Sequence, residues 1–212
     1  MKHYHKIAFI GATGKAGKFL LKHLISHNFK VKLLLRHPDK FEFSSPQIEI
    51  VSGDARDSLA VQALVSGCDA VFSTLGQPKG EPPIFSDATT NIINAMKRFD
   101  VKRYILTTGL NVDTPSDAKG TKTQSATDWM KANYPATTND KQLEFQILAA
   151  SDIDWTLVRL PWITQTDERL ETLVSLEDCP GEKISSTGRA FFLIKQVSDD
   201  RYLRKAPFIA NS

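Results

Sequence analysis

The sequence predicts an α/β fold, a doubly wound parallel sheet in three αβα layers. Three observations carry this. Short, almost wholly apolar runs recur along the first 160 residues. Strands buried on both faces lose the in–out alternation of a half-exposed sheet, so such runs point to parallel pairing. Most runs lead into a stretch with apolar residues at helical spacing. The first run and its helix are joined by a glycine-rich turn, Gly11–Gly17. Right-handed crossovers then place helices on each face of the sheet.

The elements follow in order. Lys6–Ile10 reads as a strand, and Lys15–Asn28 as a helix with Phe19, Leu20, Leu24 and Ile25 on one face. Val31–Leu35 is the next strand, closed by Arg36-His37-Pro38, and Gln47–Val51 the third. Asp57 caps a helix running to about Ser66. Ala70–Ser73 is the fourth strand, Asp87–Phe99 a helix carrying Ile92, Ile93 and Met96, and Arg103–Thr107 the fifth strand. Asn111–Asp140 is polar and interrupted by Pro115, Gly120 and Pro135, with one short helix expected near Ser125–Asn133. So long a loop in a compact domain is usually functional or mobile. Asn139–Ala150 returns to helix with Leu143, Ile147 and Leu148 inward, and Trp155–Arg159 is a sixth strand stopped by Pro161. The remainder holds a short strand near Lys183–Ser185 and a helix near Arg189–Val197. With no repeat or second core, residues 1–212 read as one domain, and 161–212 as a small substrate-side segment.

Composition removes several function classes. Hydrophobic residues at 41% and charged residues at 24% exclude a disordered chain. No run reaches the ~18 apolar residues of a membrane span. The basic start, Met1–Lys6, has no small-residue cleavage site and leads into a strand, so a soluble cytoplasmic protein is expected. Cys68 and Cys179 are too sparse for a disulfide framework, and no metal-ligand cluster is visible. A net charge of +3 without a basic, aromatic-laced stripe gives no reason to expect a nucleic-acid partner. Oligomeric state leaves no trace in the sequence.

The strongest motif is Gly11-Ala12-Thr13-Gly14-Lys15-Ala16-Gly17. Its spacing is G-x-x-G-x-x-G, in the strand–turn–helix context that dinucleotide sites require. Gly11 permits the tight turn, Gly14 lets backbone amides approach a pyrophosphate, and Gly17 lets the helix pack close. The helix N-terminus supplies free N–H groups and partial positive charge. An NAD site usually carries a carboxylate after the second strand. Here Arg36 stands there, suited to a 2′-phosphate, with Lys15 as a second cation. NADP(H) is therefore expected over NAD(H), unless Arg36 is only a solvated strand-end charge.

With Arg36, Gly53-Asp54-Ala55-Arg56-Asp57, Ser73-Thr74-Leu75-Gly76, Thr107-Thr108-Gly109 and Asp154–Pro161 added, the chain resembles the atypical short-chain dehydrogenase/reductases. The likeness is to the NAD(P)H-binding, NmrA-like branch that includes biliverdin-IXβ (flavin) reductases, and it covers nearly the whole chain. It implies a Rossmann fold. It further implies that Asp54 and Ala55 line an adenine pocket, and that Thr74, Leu75 and Gly76 pass under the ribose. Thr107 and Thr108 then stand where the superfamily keeps its catalytic serine. Thr108 is either a hydroxyl that polarises a bound carbonyl or a strand-end threonine. Lys141 matches the superfamily lysine that bonds the nicotinamide ribose, or is a solvated lysine near a helix start. Glu144 fits the same helix but is expected at the surface. The dipeptide Pro161-Trp162 suggests Trp162 as a pocket wall, with plain core as the alternative. Trp129 and Tyr134 would sit in a loop, Asn111–Pro135, covering the acceptor, with Trp129 either a lid aromatic or, in preference, a hydrophobic anchor for that loop.

One departure bears on the chemistry. The superfamily pairs Tyr and Lys one helical turn apart, yet the residue four before Lys141 is Thr137. Tyr134, seven before Lys141 and beside Pro135, is not in pairing register. Histidine does not fill the gap: all five lie before residue 38, and His23 and His27 are expected at the surface. Ketone reduction needs a proton donor at the nascent alkoxide. A flavin, a quinone or another conjugated ring instead spreads the incoming charge over distant heteroatoms. The sequence thus suggests an NADPH-dependent reductase of a conjugated small-molecule acceptor. A non-catalytic NADP(H) sensor is the alternative, and a nucleotide-sugar epimerase or dehydratase is less favoured because those use the tyrosine.

Overall fold

The computed structural model describes residues 5–212, so Met1–Tyr4 of the basic start lie outside the described residues. Strands β1 (Lys6–Ile10), β2 (Lys30–Leu35) and β3 (Ile48–Ser52) alternate with helices α1 (Gly17–Ser26) and α2 (Ser58–Val65). They are followed by β4 (Ala70–Ser73), α3 (Phe85–Arg98) and β5 (Arg103–Gly109). Two helices come next, α4 (Thr121–Asn133) and α5 (Pro135–Ala150), and then β6 (Asp154–Leu160). The C-terminal part holds β7 (Trp162–Thr164), β8 (Thr172–Ser175), β9 (Lys183–Ser185), α6 (Ser186–Lys195) and β10 (Phe208–Asn211).

The main sheet runs β3-β2-β1-β4-β5-β6-β10-β8, parallel except for β8, which pairs antiparallel with β10. β7 and β9 form a separate parallel pair. The first six strands thus take the Rossmann order, with the reversal between β1 and β4. Both faces are buried, as the apolar runs require. Ala8, Ile10, Val71, Tyr104 and Leu157 point to the layer of α2, α3 and α5. Ile7, Phe9, Phe72, Ile105 and Val158 point to the layer of α1 and α6.

Local chemistry explains the helix ends. Asp57 caps α2 by accepting from the amides of Leu59 at 2.9 Å and Ala60 at 3.4 Å. At the other end, buried Lys32 donates to the last carbonyls, Ala63 at 2.9 Å and Ser66 at 3.1 Å. The polar Asn111–Asp140 segment holds the expected helices in longer form. After a non-helical stretch at 111–120, α4 and α5 each begin four residues before their expected starts, and they are separated only at Tyr134, where Pro135 takes the first position of α5. Leu143, expected inward, is exposed, whereas Leu148 is buried. β7, β8 and β10 were not anticipated; all are short, and β8 is half-buried throughout, so neither run length nor alternation marks it. His23 is half-buried against Phe191, its ring centroid 4.8 Å from that of the phenyl, rather than at the surface.

Candidate active site

Two cavities open at the carboxyl ends of the strands, where doubly wound sheets bind ligands. The first, about 410 Å³, is lined by the glycine turn, Leu34–His37 of β2 and its exit, Gly53–Ala55, and Thr74–Pro78 after β4. Gly11 has φ +88°, and a Cβ there would lie 2.6 Å from the Thr74 backbone. A Cβ on Gly17 would come within 2.1 Å of the Gly11 carbonyl oxygen, so the turn and α1 close only with hydrogen at both positions. The Thr74 hydroxyl locks the turn to β4 by donating to that same carbonyl at 3.1 Å. No side chain caps α1 and no acid sits in its first turn, which leaves the helix N-terminus open to an anion.

Among the residues expected at the cofactor, Gly11, Thr13, Gly14, Arg36, Asp54, Ala55, Thr74, Leu75 and Gly76 line this cavity. Ala12, Lys15, Ala16 and Gly17 do not: Ala12 and Gly17 are buried in the packing behind it, and Lys15 is exposed. Arg36 donates to Glu81 at 2.8 Å, and Arg56 reaches the other oxygen of that carboxylate at 3.1 Å. These guanidiniums hold the Glu81 carboxyl below its usual range. Behind the turn, the fully buried Arg189 of α6 donates to the Ala16 carbonyl. The backbone cradle, open helix end and strand-end arginine fit a dinucleotide phosphate chain.

The second cavity, about 940 Å³, is larger and mostly apolar in lining. β5 and β6 end in it through Gly109, Leu110, Leu160 and Pro161; α4 contributes Thr123, Ala126, Trp129 and Met130; the C-terminal segment adds Trp162, Cys179 and Pro180. Trp162 is 75% exposed, which removes the core alternative and leaves it at the cavity wall. Trp129 also lines the cavity, on a helix rather than in a covering loop. Tyr134 is not among the lining residues; it is exposed and stands edge-on to Trp129, ring centroids 5.7 Å apart. Asn111 lines the cavity while 2% exposed, and its side-chain NH₂ has no partner. The buried Arg159 fixes the base of this wall by donating to Asp117 at 2.5 Å and to the carbonyls of Ala206 and Leu176.

Between the two lie Thr108 and Lys141. Neither is a lining residue, but Thr108 precedes Gly109 of the second cavity, and Lys141 packs on Phe85, which follows Ile84 of the first. Lys141 Nζ donates to Thr108 Oγ1 at 3.3 Å and sits 3.8 Å from the Phe85 ring centroid. Burial pushes the Lys141 pKa down, against the nearby carboxylates of Glu144 and Asp140. Thr107, one residue earlier on β5, is half-buried and outside both linings. Glu144 overturns the expectation of a surface role. It is 3% exposed, and its Oε1 accepts from Thr89 Oγ1 at 2.9 Å. Burial drives its carboxyl up to about 7, against the opposing influence of Lys141. A sequence signal was available: positions 141, 144 and 148 share one helical face, and Leu148 is apolar.

A profile of NAD(P)H-binding proteins matches residues 11–200. The chain belongs to the NAD(P)H-binding family. Reductases occur among its relatives in sequence. Cinnamoyl-CoA reductase 1 of Arabidopsis thaliana is 26% identical over 116 residues, covering 49% of this chain and 34% of that protein. The chain thus spans about a third of the length of that plant reductase. Solved structures confirm the Rossmann fold for this family member. A short-chain dehydrogenase/reductase from Veillonella parvula, crystallised with NADP, superimposes with a TM-score of 0.79 at 16% identity over 99% of this chain and 95% of its own. An anaerobillin reductase from Escherichia coli O157:H7 gives 0.81 at 18% identity, over 97% of both chains. Among the described residues, no helix is long and apolar enough to cross a membrane.

Proposed function

We propose that this family member is an NADPH-dependent reductase of a planar conjugated acceptor of flavin or quinone type. The observation that carries the reading is the adjacency of a backbone-built phosphate cradle and a large apolar cavity walled by Trp129 and Trp162. The Thr108–Lys141 pair stands at their junction. A reduced dinucleotide, when bound, supplies a hydride. The chain's residues do the rest. The glycine turn and the α1 N-terminus hold the phosphates. Arg36, with Arg56 beside it, meets a 2′-phosphate in place of the Glu81 carboxylate it now holds. The two tryptophans give the acceptor an aromatic stacking surface. Thr108 and Lys141 offer donors where charge develops.

Thr137 in place of the tyrosine and Tyr134 turned toward Trp129 favour an acceptor that disperses charge. Tyr134 stands at the break between α4 and α5, outside the helix that carries Lys141, so helical register does not pair the two. The test is a single turnover with protein in excess over NADPH, followed by loss of reduced-nicotinamide absorbance. FMN, riboflavin, simple quinones and ketones serve as acceptors. Oxidation by flavin or quinone and not by ketones is expected. Ketone reduction would sink the acceptor class. Tight NADPH binding without oxidation would replace the reductase with a nucleotide sensor.

A further inference from the structure

Glu144 and Lys141 share one face of α5, the first buried and the second half-buried, and the reductase step uses only the lysine. The Glu144 carboxyl is 3% exposed, with Thr89 as the hydrogen-bond partner of Oε1 and none for Oε2. Lys141 lies one turn earlier on the same face of α5. Among the described residues, no acid comes within ion-pair distance of its ammonium; its close neighbours are Thr108 Oγ1 and the Phe85 ring. The other groups facing this pocket carry no charge or are already engaged. From α3 come Thr89 and Ser86; from β5, Tyr104, whose hydroxyl is 3.3 Å from Thr89 Oγ1; from α5 itself, Asp140, which accepts from Ser86 Oγ and from the Phe85 amide at 2.8 Å. A buried carboxylate out of contact with any cation is expensive, and its orphan oxygen adds to that cost. Structural need alone would favour a leucine and a shorter side chain.

We propose that Glu144 is a buried proton store that recharges Lys141 after it has given up a proton. The proposal rests on the reductase reading. In that step a hydride from the reduced nicotinamide reaches the acceptor ring, and a proton leaves Lys141 Nζ through the Thr108 hydroxyl for the acceptor heteroatom. The lysine is then neutral. The neutral amine, on a flexible side chain one turn from Glu144, then turns to the carboxyl and takes the proton from Oε2, leaving a carboxylate beside an ammonium; between turnovers that proton returns to the carboxylate as the half-buried Lys141 takes another from solvent. The elevated carboxyl pKa agrees with this order, since the acid is half-charged near neutrality. Burial and charge separation do the work that the missing tyrosine does elsewhere in the superfamily.

Two measurements test it. The first needs no turnover. With glutamate carboxyl carbons labelled, NMR titration of the full chain should show one carboxyl titrating near neutrality, absent from Glu144→Gln. Lys141→Met should raise its midpoint by about one unit or more, because an opposite charge that favoured the carboxylate is gone. No such carboxyl, or a midpoint indifferent to Lys141→Met, overturns the proposal. The second is the steady-state turnover rate with a flavin or quinone acceptor, measured against pH. Wild type should slow as pH rises through neutrality, while Glu144→Gln should be about tenfold slower and flat, with NADPH affinity unchanged. A Glu144→Gln rate and profile equal to wild type overturns it. If no variant oxidises NADPH with any acceptor, the reductase reading fails. The response of the labelled carboxyl to Lys141→Met then still decides whether the pair shares a proton.

Discussion

The two cavities are built from different materials. The first is made of backbone: a turn at Gly11–Gly17, the open end of α1 and the exits of β2, β3 and β4. The second is made of side chains, drawn from α4, the ends of β5 and β6, and the segment around Cys179. Backbone sites depend on where a Cβ cannot be, and that requirement writes glycine into the sequence at fixed spacing. Side-chain sites depend on which residues the tertiary fold brings together. Trp129, Trp162 and Cys179 carry no mutual spacing to announce that they share a wall.

The sharpest way to break this contrast is to add one methyl group to the backbone site. Gly17→Ala places a Cβ 2.1 Å from the Gly11 carbonyl oxygen, where only backbone can give way. A loss of about 3 kcal/mol or more is expected, from overpacking plus displaced phosphate amides. It would be read as a lowered melting temperature and a Kd for NADPH raised by two decades or more. Gly76→Ala, in the same cavity but with nothing within 4 Å of its Cβ, is the control and should leave stability unchanged. Equal effects of the two would mean that steric closure of the turn is not what the glycines provide.

The seam between the cavities obeys a third rule, visible through pH. A carboxyl raised to about 7 in the folded chain binds its proton more tightly folded than unfolded. Its contribution is fully present below the unfolded pKa of about 4.3 and is lost as pH rises through about 7. At 1.36 kcal/mol per unit the loss reaches up to about 4 kcal/mol. Wild type should therefore lose melting temperature across that window relative to Glu144→Gln, which has no proton to shed. Parallel pH profiles for the two proteins would show that the Glu144 carboxyl has the same pKa folded and unfolded.

These regions also differ in how much the sequence disclosed. β1 and β4 match their sequence-derived bounds residue for residue, and β2, β3, β5 and β6 fall within two residues at each end, because strands buried on both faces must be continuous apolar runs. Asp57 was legible as a cap from its position alone. Glu144 was not, because a glutamate on a helix is usually solvated and its burial depends on Thr89 and Tyr104, 55 and 40 residues away. β8 and β10 escaped for the same reason, since pairing with each other and with β6, rather than apolar length, makes them strands. The first four residues of α4 and of α5 were obscured by their polarity, and α4 buries only Thr123 and Thr127.

Arg36 sharpens the contrast from a charged side chain of the backbone site. Arg36→Asp should shift preference from NADPH toward NADH by about one to two decades, the worth of a charge-assisted bond of roughly 1.5–3 kcal/mol. Fluorescence titration with both dinucleotides checks this. Equal weakening of both would mean that Arg36, held by Glu81 at 2.8 Å, serves the loop rather than a 2′-phosphate.

The smallest effect belongs to the side-chain site. Trp162 is 75% exposed, so its removal costs the fold little. Its value lies in stacking, worth about 0.5–1.5 kcal/mol beyond area. Trp162→Ala should raise the KM for a flavin or quinone up to about tenfold and leave the Kd for NADPH unchanged, while Trp162→Phe recovers most of the loss. Trp129→Ala should act in the same direction, since that ring lines the same cavity. Its effect on stability should be larger, because the Tyr134 edge contact goes with it. If both substitutions instead weaken NADPH and spare the acceptor, the assignment of the two cavities is reversed. The apolar chamber would then hold the cofactor's nicotinamide end and the acceptor would bind elsewhere.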